Sequence, residues 1–241
     1  MRADEKAELF GAIRVLADRL LEDGYRSPVR ECTFPDDDAR PRARAERGAS
    51  PDGGAVSCDS LERVEREIRH CVACRLAPSR TKTVCGQGVA DPALLVVGEG
   101  PGAEEDKEGL PFVGPAGQLL DKMLAAIGMS RRTNCYIANV VKCRPPLNRD
   151  PAPDEQEACL PFLERQFDLL KPRAVLAAGR VAAQALLKTK DGVHRMRGRL
   201  YEWKGVPLVV TYHPSAILRD ESLKRPAWED LKALRELLGD A

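Results

Sequence analysis

Residues 93–102 read ALLVVGEGPG, and the fold turns on this stretch. An apolar run without polar alternation marks a strand buried on both faces, as in a parallel sheet covered by helices. Glycine and proline then end the run. The same pattern recurs downstream as YIANVV (136–141), AVLAAG (174–179) and PLVVTY (207–212). Helical patterns separate these runs. One covers 114–128 and stops at Gly128. A second covers Asp154 to Leu170, with Asp154 as the N-cap and Glu157 three residues on. Two more cover 181–187 and Ser222 to Leu238, and Leu61 to Arg69 forms a helix ahead of the first strand. Strands alternating with helices define an α/β chain, a three-layer sandwich with helices on both faces of a four-stranded parallel sheet. Ligand sites in such sheets lie at the carboxyl ends of the strands. Those ends carry GEGPG, the stretch from Asn139 to Cys143, GRVAA and HPSA.

The whole chain has 241 residues, 43% hydrophobic and 31% charged, with 38 Lys+Arg against 37 Asp+Glu. That suits one globular domain with an appendage and disfavours a fibrous or disulfide-stapled chain. No apolar run approaches the ~18 residues of a membrane span, so no membrane partner is expected. MRADEKAELF (1–10) alternates charges where a signal peptide needs a basic and then an apolar stretch, so a cytoplasmic location is expected. A net charge of +1 gives no global attraction to nucleic acid, and such a function must rest on local patches. Leu9, Ile13, Leu16 and Leu20 share one helical face, giving an amphipathic helix within residues 1–24. Between residues 26 and 57 the only large aliphatic or aromatic side chains are Val29, Phe34 and Val56. Residues 25–58 therefore read as a linker without fixed structure, and 59–241 as the functional domain. A monomer is expected.

Eight cysteines in a reducing compartment point to a metal or cluster rather than to disulfides. Cys71 and Cys74 form a CxxC pair, Cys143 follows the second strand, and Cys159 lies 16 positions later in a helix. Four thiolates there could close on zinc or on a [4Fe–4S] cluster, or be unrelated buried residues. Cys85, beside Gly86, is the substitute ligand, and Cys135 reads as core.

The turn GEGPGAEEDKEGLPFVGPAG (98–117) contains neither GxGxxG nor GK[ST], and its acids would repel phosphate. Phe112 stands out there as either a stacking platform for a base or a plug holding the loop down. Glu99 is the first ionisable group beyond the strand, and a capping or ion-paired carboxylate is its plain alternative.

Taken together, GEGPGAEEDKEGLPFVGPAGQLLD, NVVKCRPP, HPSA and the four cysteines resemble the family 4 uracil-DNA glycosylases over residues 68–238. The resemblance implies a sheet of order 2-1-3-4 and a [4Fe–4S] cluster on Cys71, Cys74, Cys143 and Cys159. It implies uracil-containing DNA as the partner and hydrolysis of the N-glycosidic bond of an extruded uracil, leaving an abasic site for base excision repair. Glu99 and Gly100 would line the pocket, Phe112 would stack on the base, Asn139 would read its edge and His213 would donate to O2. Glu99 and His213 are then the catalytic candidates. Better-known uracil glycosylases place their catalytic Asp one position later, where this chain has Gly100. Ile217 or Leu218 would wedge into the space the base leaves. Arg195, Arg197, Arg199 and Lys204, with Lys142, Arg144 and Arg149, are candidates for phosphate contacts or for an ordinary charged face. His70 and His194 read as structural.

Three rival readings remain at this level. One is a non-catalytic iron–sulfur or zinc protein that binds nucleic acid. Another is the relative that traps uracil-DNA covalently, although PPLNRDPAP (145–153) holds no histidine to act as nucleophile. The third is a glycosylase of a neighbouring family with a broader choice of base.

Overall fold

The computed structural model describes residues 59–239. The expected N-terminal helix, the expected linker and Cys32 and Cys58 lie outside the described residues. Among those described, six strands form one mixed sheet. Its interior consists of four parallel strands, β2 (Leu94–Gly98), β3 (Cys135–Asn139), β4 (Ala174–Ala178) and β6 (Val206–Thr211). Two short antiparallel strands close the edges, β1 (Gln87–Gly88) against β3 and β5 (Leu200–Trp203) against β6. The order across the sheet is β1-β3-β2-β4-β6-β5. The expected four-stranded sheet thus gains two edge strands. Neither carried an apolar run to reveal it, since β1 is two residues long and β5 is largely exposed.

The unbroken apolar runs have the reason anticipated. In β2, Leu95 and Val97 face one core while Leu94 and Val96 face the other. The first core is completed by α4 (Pro153–Leu170) and α5 (Arg180–Leu187), and the second by α3 (Pro115–Ala125) and α8 (Lys224–Leu238). Helix α1 (Leu61–His70) buries Val64 and Ile68 in a small cluster of their own that includes Cys85.

Three local expectations change. Helix α4 begins one residue earlier than expected, because Pro153 occupies the first helical position, where its missing N–H costs nothing. Glu155, not Asp154, serves that end, accepting from Ala152 N at 2.7 Å. Within the Gly-rich turn, residues Ala103–Glu108 form a helix, α2. Short helices α6 (Val193–Met196) and α7 (Pro214–Arg219) complete the set.

Candidate active site

A cleft of about 500 Å³ opens at the carboxyl ends of the parallel strands. Glu99, Gly100, Phe112, Asn139 and His213 all line it, so three sequence segments meet as the motifs required. Gly98 makes the meeting possible. A Cβ there would lie 2.6 Å from Phe112 Cζ and would also collide with Asn139 Oδ1.

Asn139 ends β3 and is only 2% exposed. Its Oδ1 is buried and has no hydrogen-bond partner. Such an atom costs free energy unless something arrives to donate to it. Its backbone oxygen, in contrast, is held by Lys142 Nζ at 2.9 Å, and the same amine donates to Gln166 Oε1 at 2.7 Å. Lys142 is wholly buried, which corrects its reading as a phosphate contact.

Phe112 occupies a left-handed backbone conformation with φ 53°. A non-glycine residue holds that conformation only where its surroundings enforce it. Arg131 does so, donating to Pro111 O at 2.7 Å and to Phe112 O at 3.0 Å. From the other side Glu105 accepts from Val113 N at 2.9 Å and from Gly114 N at 3.0 Å. The Phe112 ring lies 5.5 Å, centroid to centroid, from that of His213 at an interplanar angle of 29°.

His213 precedes α7, and its Nδ1 accepts from Ser215 N at 3.2 Å. That bond leaves the ring proton on Nε2. Burial, reinforced by Arg219, holds its pKa down to about 4, so the ring is neutral at pH 7. Gly179, with φ +99°, brings the end of β4 against this residue, and a Cβ there would fall 2.8 Å from His213 Cβ. Glu99 has the opposite shift. Burial, and then the charge of Asp150, push its pKa up to about 7, with Arg180 pulling the other way.

The other assignments divide. Ile217 is 2% exposed and packed inward, so it cannot act as a wedge, whereas Leu218 is 50% exposed. Most of the expected phosphate contacts are engaged elsewhere. Arg197 chelates Asp230 and Lys204 pairs with Asp168. Arg149 is committed to the buried Glu155 at 2.8 and 2.6 Å. Arg149, Arg180 and Arg219 line the cleft, Arg180 in an ion pair with Asp150.

A second, apolar pocket is lined by Cys71, Cys74, Cys143 and Cys159, with Ile68 and Phe162 among its walls. Cys71 caps α1, Cys143 follows β3 and Cys159 sits in α4. Lys142 N donates to Cys159 Sγ at 3.3 Å, and Arg80 Nη1 to Cys143 Sγ at 3.3 Å. Burial pushes the Cys159 thiol up to about 11 and raises Cys143 as well. Among the described residues no three His, Cys, Asp or Glu side chains close on a position for one metal ion. Four cysteines lining one apolar space, two of their sulfurs accepting from N–H donors, form a donor set that suits a thiolate-bound metal or cluster. Cys85 does not line this pocket, and Cys135 is core.

The model of the uracil DNA glycosylase superfamily matches residues 85–232. A type-4 uracil-DNA glycosylase of Sulfurisphaera tokodaii is 41% identical over 187 residues, covering 74% of this chain and 85% of the relative. One from Archaeoglobus fulgidus is 42% identical over 189 residues, 75% of this chain and 94% of the relative. A type-5 uracil-DNA glycosylase of Pyrobaculum aerophilum is 33% identical over 140 residues, 52% of this chain and 62% of the relative. The chain belongs to the uracil DNA glycosylase superfamily, within its type-4 branch.

Proposed function

We propose that this protein extrudes uracil from DNA and hydrolyses its N-glycosidic bond, with Phe112, Asn139, His213 and Glu99 as the working side chains. The observation that carries the reading is the unpartnered Asn139 Oδ1 at the cleft, beside the Phe112 ring. Uracil offers a donor at N3 and an acceptor at O4, which an amide matches with its oxygen and its NH₂. Phe112 stacks on the base, and Gly100 leaves room beside it. An enzyme acting on a base must take it out of the stack and read it in this way.

Bond cleavage leaves negative charge on the departing uracil and positive charge on the sugar. His213, neutral and protonated on Nε2, donates to O2 as that charge develops. Glu99 in its ionised form stabilises the sugar cation and orients the attacking water. Leu218 faces the DNA as the wedge. Cys71, Cys74, Cys143 and Cys159 would hold a [4Fe–4S] cluster, which when bound supplies iron–sulfur bonds tying α1, the segment after β3 and α4 together. The inner strands, in the family order 2-1-3-4, set these groups at one end of the sheet. Residues 59–241 form the catalytic domain, which works as a cytoplasmic monomer on single- or double-stranded DNA. Among the described residues no helix is long and apolar enough to cross a membrane.

The test is incubation with a uracil-containing oligonucleotide followed by alkaline strand scission. Cleavage at uracil alone is expected. Asn139→Asp should weaken uracil excision and admit cytosine, since a carboxylate accepts from the cytosine amino group. An intact oligonucleotide after prolonged incubation with the native protein would reject the reading.

A further inference from the structure

Leu147 has no place in the site as described, yet it is the most exposed large hydrophobic residue among those described, at 96%. It stands in the segment between β3 and α4, in a short turn spanning Pro146–Asn148. Its backbone is left-handed (φ 56°, ψ 20°), and so is that of Asn148 (φ 55°). A leucine held left-handed and projecting into water is unfavourable on both counts. A surface turn under no other demand would carry glycine or asparagine there.

The turn is also fastened. Asn148 N donates to Pro145 O at 3.0 Å and Arg149 N to Pro146 O at 3.2 Å. Arg144 Nε donates to Asn148 Oδ1 at 2.8 Å. Arg149, next in the chain, is clamped to the buried Glu155. Pro145, Asn148, Arg149 and Asp150 all line the active-site cleft. Leu147 is therefore a rigidly mounted apolar side chain on the cleft rim, contributed by a different element from Leu218. With Ile217 turned inward, α7 offers Leu218 alone as a wedge.

From this placement we infer that Leu147 is a second DNA-probing residue, which packs against the base stack flanking the extruded uracil. This rests on the functional reading above and extends it. Apolar side chains inserted at base steps hold a duplex unstacked. A single strand has no paired stack to hold apart, so the contribution of Leu147 belongs to duplex substrates.

The experiment compares native protein, Leu147→Ala and Leu147→Gly on one uracil oligonucleotide, single-stranded and in a duplex opposite guanine. A 2-aminopurine placed beside the uracil reports unstacking. Both variants should lose about ten-fold or more in single-turnover rate on the duplex, the scale of one large apolar side chain left unburied. They should keep the native rate on the single strand and show a smaller 2-aminopurine rise. Leu147→Gly should melt no lower than the native protein, because glycine relieves the left-handed backbone. Native rates on the duplex, or equal losses on both substrates, would overturn the assignment. If the native protein releases uracil from neither substrate, the functional reading itself fails, and that result is distinct from the other two.

Discussion

At the scale of single residues, the site sets two ionisable groups apart by environment. Glu99 is pushed up to about 7, chiefly by burial, and His213 is held down to about 4. A carboxyl whose folded pKa exceeds its ordinary value of 4.5 holds its proton longer when folded. It therefore lowers stability as pH rises from 4.5 to about 7, and the loss is complete above that. Glu99→Gln should raise the melting temperature more at pH 8 than at pH 5, and equal shifts at both would contradict the burial argument. In catalysis the sign reverses, because the ionised form is the useful one. The single-turnover rate should climb through about pH 7, and Glu99→Gln should abolish that limb. His213 contributes while the bond breaks. His213→Ala should cost roughly 10²–10³ in single-turnover rate, the scale of one lost oxyanion donor, with DNA affinity almost unchanged. Wild-type cleavage with lost DNA binding would make His213 a backbone contact instead.

At the scale of elements, what could be read in the sequence was what is local. The four inner strands announced themselves as unbroken apolar runs because both sheet faces are covered. Glu99 and Phe112 stood out because they lie in the turn after a strand, whereas Asn139, at the end of β3, and His213, just after β6, were named through the resemblance of their motifs. Residues that act through distant contacts were illegible. Arg131 reaches back about twenty positions to the Phe112 backbone, and Gly179 matters only because His213 packs on it. Likewise Glu105 looked like one acid among several in a loop, while in the fold it caps α2 and ties down Val113 and Gly114. The edge strands depend on pairing partners rather than on their own composition. Arg131 provides the test at this scale. A left-handed non-glycine residue costs roughly 1–3 kcal/mol, so an unclamped Phe112 would relax and its ring would leave the stacking position. Arg131→Gln should raise KM for uracil-DNA about ten-fold, equivalent to about 1.4 kcal/mol, with kcat little changed. A fall in kcat at constant KM would show that Arg131 serves the chemistry and not the platform.

At the scale of the whole molecule, the cysteine pocket and the cleft are separate but joined through Lys142. Its backbone N–H donates to Cys159 and its amine to the carbonyl of Asn139. The four cysteines come from three segments distant in sequence and line one pocket, so the cluster proposed for them should be structural. Cys143→Ser should give colourless, aggregation-prone protein, and recovery of well-folded, fully active, colourless protein would defeat that view. The N-terminal region allows the complementary test. The residues lining the cleft fall between Glu99 and Arg219, and those lining the cysteine pocket between Ile68 and Phe162. The first described residue, Asp59, is itself anchored, pairing through both carboxylate oxygens with Arg165 of α4 at 2.8 Å. Arg165 also binds Glu67 of α1, so the start of the domain is locked to its middle. A chain beginning at Asp59 should therefore fold, keep the brown colour expected of the proposed [4Fe–4S] cluster and turn over a short uracil oligonucleotide within about two-fold of the rate of the 241-residue chain. If it folds with its colour intact but loses most of its turnover, the N-terminal region takes part in catalysis or in holding DNA, and the domain boundary proposed here is wrong.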